Sequence, residues 1–422
     1  MRLYGAAWAL VVLCCFAGAQ QTISVTSQSV TVPFTLDHNR IIIDADVRLS
    51  DGKTRHVRAW VDNGNPDLYI SRRLATAVNC EGQLCSATPP VEITIGGMTI
   101  PLGGRAPGAG VKEAKLILMP DGAESVMAPG LPAEINIPST ILRHYDVLID
   151  YPGNKFSIGA PGTIRFRGST ARVNVDPVNG LIQVPSQIEK KKYSLALDLG
   201  SCISFLSGEL FEKLQTAHPD WPHLTGAVGS ANMWGLDDEA KWKLMRIDRV
   251  QFGPLFLTNV AAVELPATSI EFLEKPAGPT TAGLLGADVL LNYRIGLDYA
   301  HSTVYFDIGR MFTFPEFDVV GLIVRPEIDG RFTIVGVADF DVKPSVPFGA
   351  DGVQSGDQLI AVDDIPVRGE TSGQVWAMLG GTPGQERTLT IQHGDKRFTV
   401  AAQIQHFLGE GSDDSEYKKK KK

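Results

Sequence analysis

Two short segments of the sequence each carry an aspartate that could take part in acid–base chemistry. Val61-Asp62-Asn63-Gly64 and Leu197-Asp198-Leu199-Gly200 both end an apolar run with the pattern apolar-Asp-x-Gly. Two carboxyl groups held together in a poorly solvated site share one proton, because their charges repel. The ionised group can then take a proton from water, and the protonated group can donate a hydrogen bond to a carbonyl oxygen. Asp62 and Asp198 are therefore the candidate residues for such acid–base chemistry, which needs no cofactor and no metal.

An internal repeat surrounds the two aspartates and predicts how they are positioned. The repeated landmarks are residues 58–64 and 194–200, residues 95–100 and 252–257, and residues 141–151 and 289–299. Three pairs in the same order predict two copies of one β lobe, at residues 20–165 and 166–312. Alternating apolar strands such as residues 41–47 and 91–95 dominate, and helical periodicity is confined to residues 207–215, 141–145 and 372–379.

With this repeat, the chain resembles the aspartic proteases, both the two-lobed pepsin-like enzymes and the half-size retropepsin-like domains. The resemblance covers residues 20–312 and is carried by the two Asp-x-Gly motifs and by Leu284-Leu285-Gly286, an apolar-apolar-Gly element. It implies hydrolysis of peptide bonds in a substrate that lies extended across a cleft between the lobes. It also implies a supporting loop around each aspartate, formed by Asn63, Gly64, Leu199, Gly200 and Ser201.

The sequence departs from the family pattern at three places. The family usually has Thr or Ser after each aspartate, and the hydroxyls hold the two loops together; here Asn63 and Leu199 take these positions. Asn136-Ile137-Pro138 also replaces the apolar-apolar-Gly element of the first lobe. These changes leave open a catalytically inactive, protease-like protein that binds peptides or acts as a scaffold. Asp-Asn-Gly is also typical of a type I′ hairpin turn, which is a second explanation of the first motif.

Residues 313–405 resemble a PDZ domain of the bacterial, protease-associated type. The resemblance is carried by the turn Gly352-Val353-Gln354-Ser355-Gly356-Asp357, the apolar strand that follows it and a second turn before Pro366. It implies that a peptide adds as a strand beside a short helix. The loop that holds the carboxylate of the peptide would include Val320, Gly321, Leu322 and Ile323. The expected partners are therefore a peptide or protein substrate and a PDZ ligand peptide.

The N-terminus and the cysteines indicate a protein that works outside the cytoplasm. Arg2, an apolar run at residues 6–16 and Ala17-Gly18-Ala19 have the pattern of a signal peptide at residues 1–19. An N-terminal anchor is the alternative; otherwise no stable membrane span is expected after cleavage. Cys80 and Cys85 would then form a disulfide, as also in pepsin-like proteins, with two free thiols as the alternative. We expect a periplasmic or secreted location.

Composition and the remaining motifs exclude other classes of protein. The 422 residues include 44% hydrophobic and 20% charged residues, which suits several packed domains rather than a disordered chain. The net charge of −8 argues against a nucleic-acid partner.

The remaining histidine, cysteine and lysine residues are explained without a function. No cluster of further metal-ligand residues accompanies His218 and His223 in the sequence, so no metal site is predicted. Cys202 is expected to be a small core residue rather than a redox-sensitive thiol, and residues 406–422 a solvated charged tail. The predicted fold class is mainly β, with duplicated acid-protease-like lobes and a PDZ-like domain with short helices.

Two glycine-rich segments could be mobile covers of the cleft, although plain turns would explain them as well. They are residues 103–108 and 226–230.

Overall fold

The computed structural model describes residues 29–49, 51–78, 84–85, 91–102, 116–118, 132–265, 281–309, 317–338, 346–347, 349 and 352–409. The predicted signal peptide, Cys80, the side chain of Cys85, residues 103–108 and the lysines at 418–422 lie outside the described residues. Within these ranges strands dominate and helices are short, which confirms the predicted mainly β class.

The first part of the chain, called unit one (residues 29–159), forms most of its strands into one sheet. The strand order in that sheet is β6-β9-β5-β10-β4-β3-β7-β8, with β2 paired to β3. Its strands are β1 (Ser29–Pro33), β2 (Thr35–Asp37), β3 (Arg40–Arg48), β4 (Thr54–Asp62), β5 (Leu68–Ile70), β6 (Leu84–Cys85), β7 (Val91–Ile95), β8 (Met98–Leu102), β9 (Leu116–Leu118), β10 (Ile135–Pro138), β11 (Asp146–Asp150) and β12 (Lys155–Gly159). Its helices are α1 (Arg72–Ala77) and α2 (Ser139–Leu142).

The second part, called unit two (residues 169–308), has a corresponding sheet. The strand order is β14-β15-β16-β21-β17-β20-β19-β18, and β15 also pairs with β19. Its strands are β13 (Ser169–Arg172), β14 (Asn174–Val175), β15 (Ile182–Ile188), β16 (Lys191–Leu197), β17 (Ser204–Ser207), β18 (His223–Thr225), β19 (Lys243–Phe252), β20 (Leu255–Leu265), β21 (Gly283–Leu285), β22 (Tyr293–Asp298) and β23 (Thr303–Ile308). One α-helix, α3 (Gly208–Ala217), and three 3-10 turns (Gly229–Ala231, Glu239–Lys241 and Ala287–Val289) complete the described part of unit two.

The two units meet in a third sheet of six strands, in the order β1-β12-β11-β22-β23-β13. At its centre β11 pairs antiparallel with β22, and Leu148 lies opposite Gly296. Leu148 and Gly296 are equivalent positions of the repeat, and the pairs Asp146–Asp298 and Asp150–Arg294 lie two residues away on either side of them. The two strands are therefore related by an approximate two-fold axis that passes between Leu148 and Gly296. The repeated residues 141–151 and 289–299 therefore occupy equivalent places in the structure.

The other repeated landmarks also form equivalent elements. Residues 95–100 and 252–257 turn between paired strands, β7 with β8 and β19 with β20. The helices α1 and α3 follow β5 and β17, and in each case a serine caps the helix, since Ser71 accepts the Leu74 N–H and Ser207 accepts the Leu210 N–H. The predicted helix at residues 207–215 is thus close to α3, and that at residues 141–145 overlaps α2.

The C-terminal unit (residues 317–409) is a small sheet with one helix. Its strands are β24 (Asp318–Val319), β25 (Leu322–Pro326), β26 (Phe332–Val337), β27 (Gln358–Val362), β28 (Ile365–Pro366), β29 (Glu386–His393), β30 (Lys396–Gln403) and β31 (Gln405–His406). The helix α4 (Ser372–Leu379) has a complete capping box, formed by Thr371 and Gln374. The strand β31 pairs with β24, and Phe407 and Leu408 are buried, so the ordered chain extends into the segment that the sequence analysis gave to the tail.

One hydrophobic cluster is shared between unit two and the C-terminal unit. It joins buried residues of unit two, such as Val228 and Leu244, to Phe317, Ile323 and Phe407 of the C-terminal unit. The C-terminal unit also has a core of its own, which includes Phe332 and Val375. Because apolar surface on both sides is removed from water at this boundary, the C-terminal unit is packed on unit two rather than joined only by a linker.

Replacing Phe407 with alanine tests this shared core. Phe407 is 1% exposed, so Phe407→Ala should lower the free energy of unfolding by about 3 kcal/mol. Amide hydrogen exchange should accelerate in β19 and β20 of unit two as well as in β24 and β31. Phe256→Ala is the matched control, because Phe256 is 69% exposed and its loss should change little. Faster exchange confined to the C-terminal unit would contradict a shared core.

Candidate functional site

The loop that carries Asp62 follows β4, the central strand of unit one. This strand runs parallel to β10, with Ile137 opposite Val61 and Pro138 opposite Asp62. Asp62 is 3% exposed, and its Oδ1 accepts the Gly64 N–H at 3.2 Å. Neither Asn63 nor Gly64 has a positive φ, whereas a type I′ turn requires one at both central residues. The hairpin explanation of the first motif is therefore wrong.

The loop that carries Asp198 has the same construction in unit two. It follows β16, which runs parallel to β21 with Leu197 opposite Leu285. The Asp198 N–H donates to the Leu285 carbonyl at 3.0 Å. The Asp198 Oδ1 accepts two backbone N–H groups, from Gly200 at 2.9 Å and from Ser201 at 3.0 Å. The fold thus places both aspartates at the end of a strand, each followed by a turn.

The two aspartate loops approach each other at their glycines. A Cβ atom on Gly64 would lie 2.1 Å from Asp198 Cγ, and one on Gly200 would lie 2.3 Å from Asp62 Oδ1. Side-chain atoms cannot approach this closely, so each glycine makes room for the carboxyl group of the other unit. Neither glycine has a positive φ, so close approach, and not conformational freedom, is what requires them. The structure therefore brings Asp62 and Asp198 together at the contact between the units.

A single side chain, Asn63, joins the two loops by hydrogen bonds. Its Nδ2 donates to the Leu197 carbonyl at 2.8 Å, and its Oδ1 accepts the Leu199 N–H at 2.8 Å. Asn63 is 1% exposed and Leu199 is fully buried. The amide therefore donates and accepts at once, and Leu199 contributes through its backbone although its side chain cannot form a hydrogen bond.

Buried polar groups behind each loop hold it in place. In unit one, Asn136 accepts the Tyr69 N–H at 2.7 Å and donates to the Asp67 carbonyl at 2.9 Å. In unit two, Ser204 donates to Asp288 at 3.0 Å and accepts the Gly286 N–H at 3.1 Å. The two units thus use different residues for the same purpose, and the Asn136-Ile137-Pro138 element of unit one keeps its parallel pairing with β4 despite its changed sequence.

Burial raises the pKa of both aspartates. For Asp62 burial is the largest cause and the charge of Asp198 is the second, and they hold the pKa well above its ordinary value. Burial raises the pKa of Asp198 to about 6, although the N–H groups of Gly200 and Ser201 oppose this change. For Asp62 the Gly64 N–H, the Asn65 side chain and the positive charge of Arg40 oppose the change in the same way, so each carboxyl group accepts two hydrogen bonds. The titration belongs to the pair, which retains one proton at mildly acidic pH.

The turn between β2 and β3 adds contacts to this site that the sequence analysis missed. Asn39 Nδ2 donates to the Cys202 carbonyl at 2.9 Å. Arg40, which is fully buried, donates to the Met233 carbonyl at 2.5 Å, and its guanidinium lies 4.5 Å from the centre of the Trp234 ring. Positive φ values at His38 and Asn39 are typical of a hairpin turn, but no short-range signal points to partners more than 160 residues away.

Cys202 lies behind the Asp198 loop and is fully buried. Burial raises the pKa of its thiol to about 12, so the reactive thiolate is not formed near neutral pH. The expectation of a small core residue agrees with this environment. Among the described residues, no group of three or more His, Cys, Asp or Glu side chains could hold a metal ion.

A second candidate site lies between β25 and α4 in the C-terminal unit. Val320 and Leu322 line a cavity there, together with Trp376 and Leu379 of α4. Ile323 does not line the cavity, because strand alternation turns it into the core shared with unit two. Its place in the loop expected to hold the peptide carboxylate stays a prediction, and its side chain takes no part in the cavity. Val324, the next residue on the cavity side, was missed.

Comparison with known proteins gives one family assignment, for the C-terminal unit. Residues 318–404 match the family model of the PDZ domain, and the chain therefore carries a C-terminal PDZ domain, as predicted. A PDZ domain binds peptides.

Two further comparisons concern the whole chain. A search of curated proteins gives no match. Among solved structures, the chain is similar to the crystal structure of the aspartic proteinase from Irpex lacteus, with 11% sequence identity and a TM-score of 0.40, over 68% of this chain and 100% of that chain. No helix among the described residues is both long enough and apolar enough to cross a membrane.

Replacing Asn63 tests its role as the link between the loops. Asn63→Ala would leave the Leu197 carbonyl and the Leu199 N–H without partners in a buried place, so the free energy of unfolding should fall by about 2 to 3 kcal/mol. Denaturant titration of the purified protein measures this loss. The control is Asn174→Ala, which removes an exposed asparagine and its hydrogen bond to Gln183 at 3.2 Å and should cost about 1 kcal/mol or less. Equal stability of the two variants would show that the Asn63 bonds are not needed.

The raised pKa values predict how Asp62 affects stability at different pH. A folded carboxyl group with a raised pKa keeps its proton where the unfolded group has lost it, so its share of stability is present at low pH and is lost as the pH rises. Asparagine has no proton to lose, so Asp62→Asn removes this fall in the free energy of unfolding at higher pH. The variant should therefore raise Tm by about 2 °C or more at pH 7.5 and change it little at pH 4.

Thermal unfolding at both pH values checks this expectation. Asp220→Asn, at an exposed aspartate, makes the same change in charge and should give no difference between the two conditions. A Tm increase for Asp62→Asn that is equally large at pH 4 would mean that the ionisation of Asp62 is not the cause.

Proposed function

We propose that the chain is an aspartic-type endopeptidase in which Asp62 and Asp198 activate a water molecule. The observation that carries this proposal is the contact between the two aspartate loops, where each carboxyl group occupies the space next to the glycine of the other unit. Two neighbouring carboxyl groups whose pKa values are raised by burial are suited to dividing the roles of base and acid.

The proposed reaction starts with the proton on Asp62, the less exposed of the two aspartates. The ionised Asp198 takes a proton from water while the water oxygen bonds to the carbonyl carbon of the peptide. The protonated Asp62 gives its proton to the carbonyl oxygen, which forms a tetrahedral diol. As the C–N bond breaks, the proton on Asp198 passes to the leaving nitrogen. A diol hydroxyl returns its proton to Asp62 as the carbonyl re-forms. Atoms and protons balance, and no cofactor is required.

We further propose that the PDZ domain recruits or positions peptide substrates and that the protein works outside the cytoplasm. Export rests on the signal-peptide pattern of residues 1–19. Recruitment rests on the PDZ domain, which packs directly on unit two through a shared core. This arrangement keeps a bound peptide within reach of the same polypeptide that carries the aspartates.

The second candidate function is a catalytically inactive protein that binds peptides or acts as a scaffold. One observation favours it: among the described residues the loops are linked by one side chain, that of Asn63, because the Leu199 side chain has no group that could form the reciprocal bond. A small displacement of the carboxyl groups would be enough to remove most of the catalytic rate.

Cleavage of an unfolded protein by residues 20–422 between pH 3 and 8 decides between the two functions. We expect activity that falls by about 1000-fold or more in both Asp62→Asn and Asp198→Asn. Because burial raises the pKa of both carboxyl groups, the optimum should lie closer to neutral pH than the range of ordinary carboxyl groups near pH 4.

Asp220→Asn serves as the control for the change in charge, and it should cleave like the unchanged protein. Circular dichroism confirms that each variant is folded. Absence of cleavage at every pH by the folded, unchanged protein would favour the peptide-binding scaffold. Equal cleavage by the unchanged protein and both active-site variants would assign the activity to a contaminant.

A further inference from the structure

The peptide groove of the PDZ domain is covered by a segment of unit two, residues 226–242, which we call the cover segment. A peptide that adds to a PDZ domain pairs with the free edge of the strand beside the helix. That strand is β25, which pairs with β26 on one side only and is an edge strand of its sheet. The free edge of β25 faces the cover segment.

Asn232 of the cover segment takes the backbone groups that a peptide would need. Its Oδ1 accepts the Val324 N–H at 2.9 Å, and its Nδ2 donates to the Val324 carbonyl at 3.0 Å. A residue of an added antiparallel strand exchanges the same pair of bonds with the residue opposite. The side-chain amide of Asn232 thus takes the place of a peptide group of a ligand.

Glu239 holds Asn232 in this position. Its Oε2 accepts the Asn232 Nδ2 at 2.8 Å, and its Oε1 accepts the Trp234 N–H at 2.8 Å. Glu239 is fully buried. The amide of Asn232 is therefore oriented by the cover segment itself, which indicates a formed contact rather than a chance approach.

The cover segment also follows the backbone of β25 closely. A Cβ atom on Gly235 would lie 2.4 Å from Arg325 Cα and 2.6 Å from the Val324 carbonyl oxygen. Arg325 forms an ion pair with Asp237 at 2.7 Å. A second peptide strand cannot occupy this space while the cover segment is present.

The helix side of the groove is in contact with unit one. Asp37 Oδ1 accepts the Gly373 N–H of α4 at 3.1 Å, and the His38 ring lies 5.4 Å from the Trp376 ring, edge to face. His38, Gly229 and Met233 line the cavity together with groove residues of the PDZ domain, and its volume is about 20 Å³. That volume suits one water molecule and not a side chain of a ligand.

We propose that the cover segment is an internal ligand of the PDZ domain, and that an external peptide binds only after it displaces Asn232 from the edge of β25. This inference rests on the part of the proposed function that assigns peptide recruitment to the PDZ domain. The sequence analysis treated residues 226–230 as a possible mobile cover of the catalytic cleft. The structure places Gly226 against Ala338 and Gly229 in the PDZ groove instead.

The experiment compares Asn232→Ala with a matched control in the same segment, Leu236→Ala, since Leu236 is 45% exposed. Asp237→Ala is a second variant that weakens the contact between the cover segment and β25. It removes only the surface ion pair with Arg325, and it keeps the test valid if Asn232→Ala folds poorly; we call Asn232→Ala and Asp237→Ala the opening variants.

All proteins carry Asp198→Asn so that the probe stays intact, and the protein with this change alone is the reference. The probe is a pool of fluorescein-labelled decapeptides with apolar C-terminal residues, and an amidated pool tests the need for a free carboxylate. Fluorescence anisotropy measures binding, and hydrogen exchange follows the fragment that contains β25.

We expect Asn232→Ala to bind the pool about 10-fold more tightly than the reference, because two hydrogen bonds no longer compete with the peptide. Asp237→Ala should have a smaller effect in the same direction, Leu236→Ala should have none, and exchange in β25 should accelerate only in the two opening variants. Equal affinity in the reference and both opening variants would overturn the inference, while peptide recruitment would stand.

No binding by any variant, with faster exchange in β25, would overturn both the displacement and the recruitment role. The cleavage assay would still test the hydrolytic function by itself, because the binding experiment uses inactive protein.

Discussion

The side-chain amide of Asn63 is the interaction on which the candidate site depends. The two carboxyl groups repel each other once both are ionised, and burial adds to the cost of their charges. Something must therefore hold the two loops against this repulsion. Asn63 does so with two hydrogen bonds to backbone atoms on either side of Asp198, at Leu197 and Leu199. Because both partners are backbone atoms, the side chain at position 199 is free to be apolar, and Leu199 packs in the core.

The three parts of the chain meet around the turn between β2 and β3. Asp37 contacts the PDZ helix, Asn39 contacts the carbonyl of Cys202 behind the Asp198 loop, and Arg40 contacts the cover segment at Met233. Met233 Sδ in turn lies 3.8 Å from Ser201 Oγ. A movement of the cover segment would therefore change contacts both in the PDZ groove and in the loop that stabilises the Asp198 carboxylate. Contiguous packed contacts of this kind can carry energetic coupling, here between the PDZ groove and the Asp198 loop.

The sequence was sufficient to predict the parts of this structure that depend on local patterns. The strands, the helix at residues 372–379 and the equivalence of residues 141–151 and 289–299 follow from alternation, helical periodicity and repetition, and the structure has them. The contacts of Asn63, Arg40 and Asn232 could not be predicted in the same way. Each depends on atoms more than 90 residues away, and an asparagine that bridges two loops looks in sequence like an asparagine in a turn. The direction of the Ile323 side chain could not be predicted for a related reason, because only the observed strand fixes which residues face the groove.

The asymmetry between the two loops has a chemical consequence. With a hydroxyl residue after each aspartate, as in the family the sequence resembles, the two halves of the link could be equivalent. Here the link comes from the Asn63 side chain of unit one. Asp62 is the more deeply buried of the two carboxyl groups, so in the proposed reaction the shared proton starts on Asp62. In the proposed reaction Asp198 first accepts and then donates a proton, and Asp62 first donates and then accepts one, so each cycle restores the starting state. Leu199 removes the symmetry of the link, while its backbone N–H keeps the two loops joined.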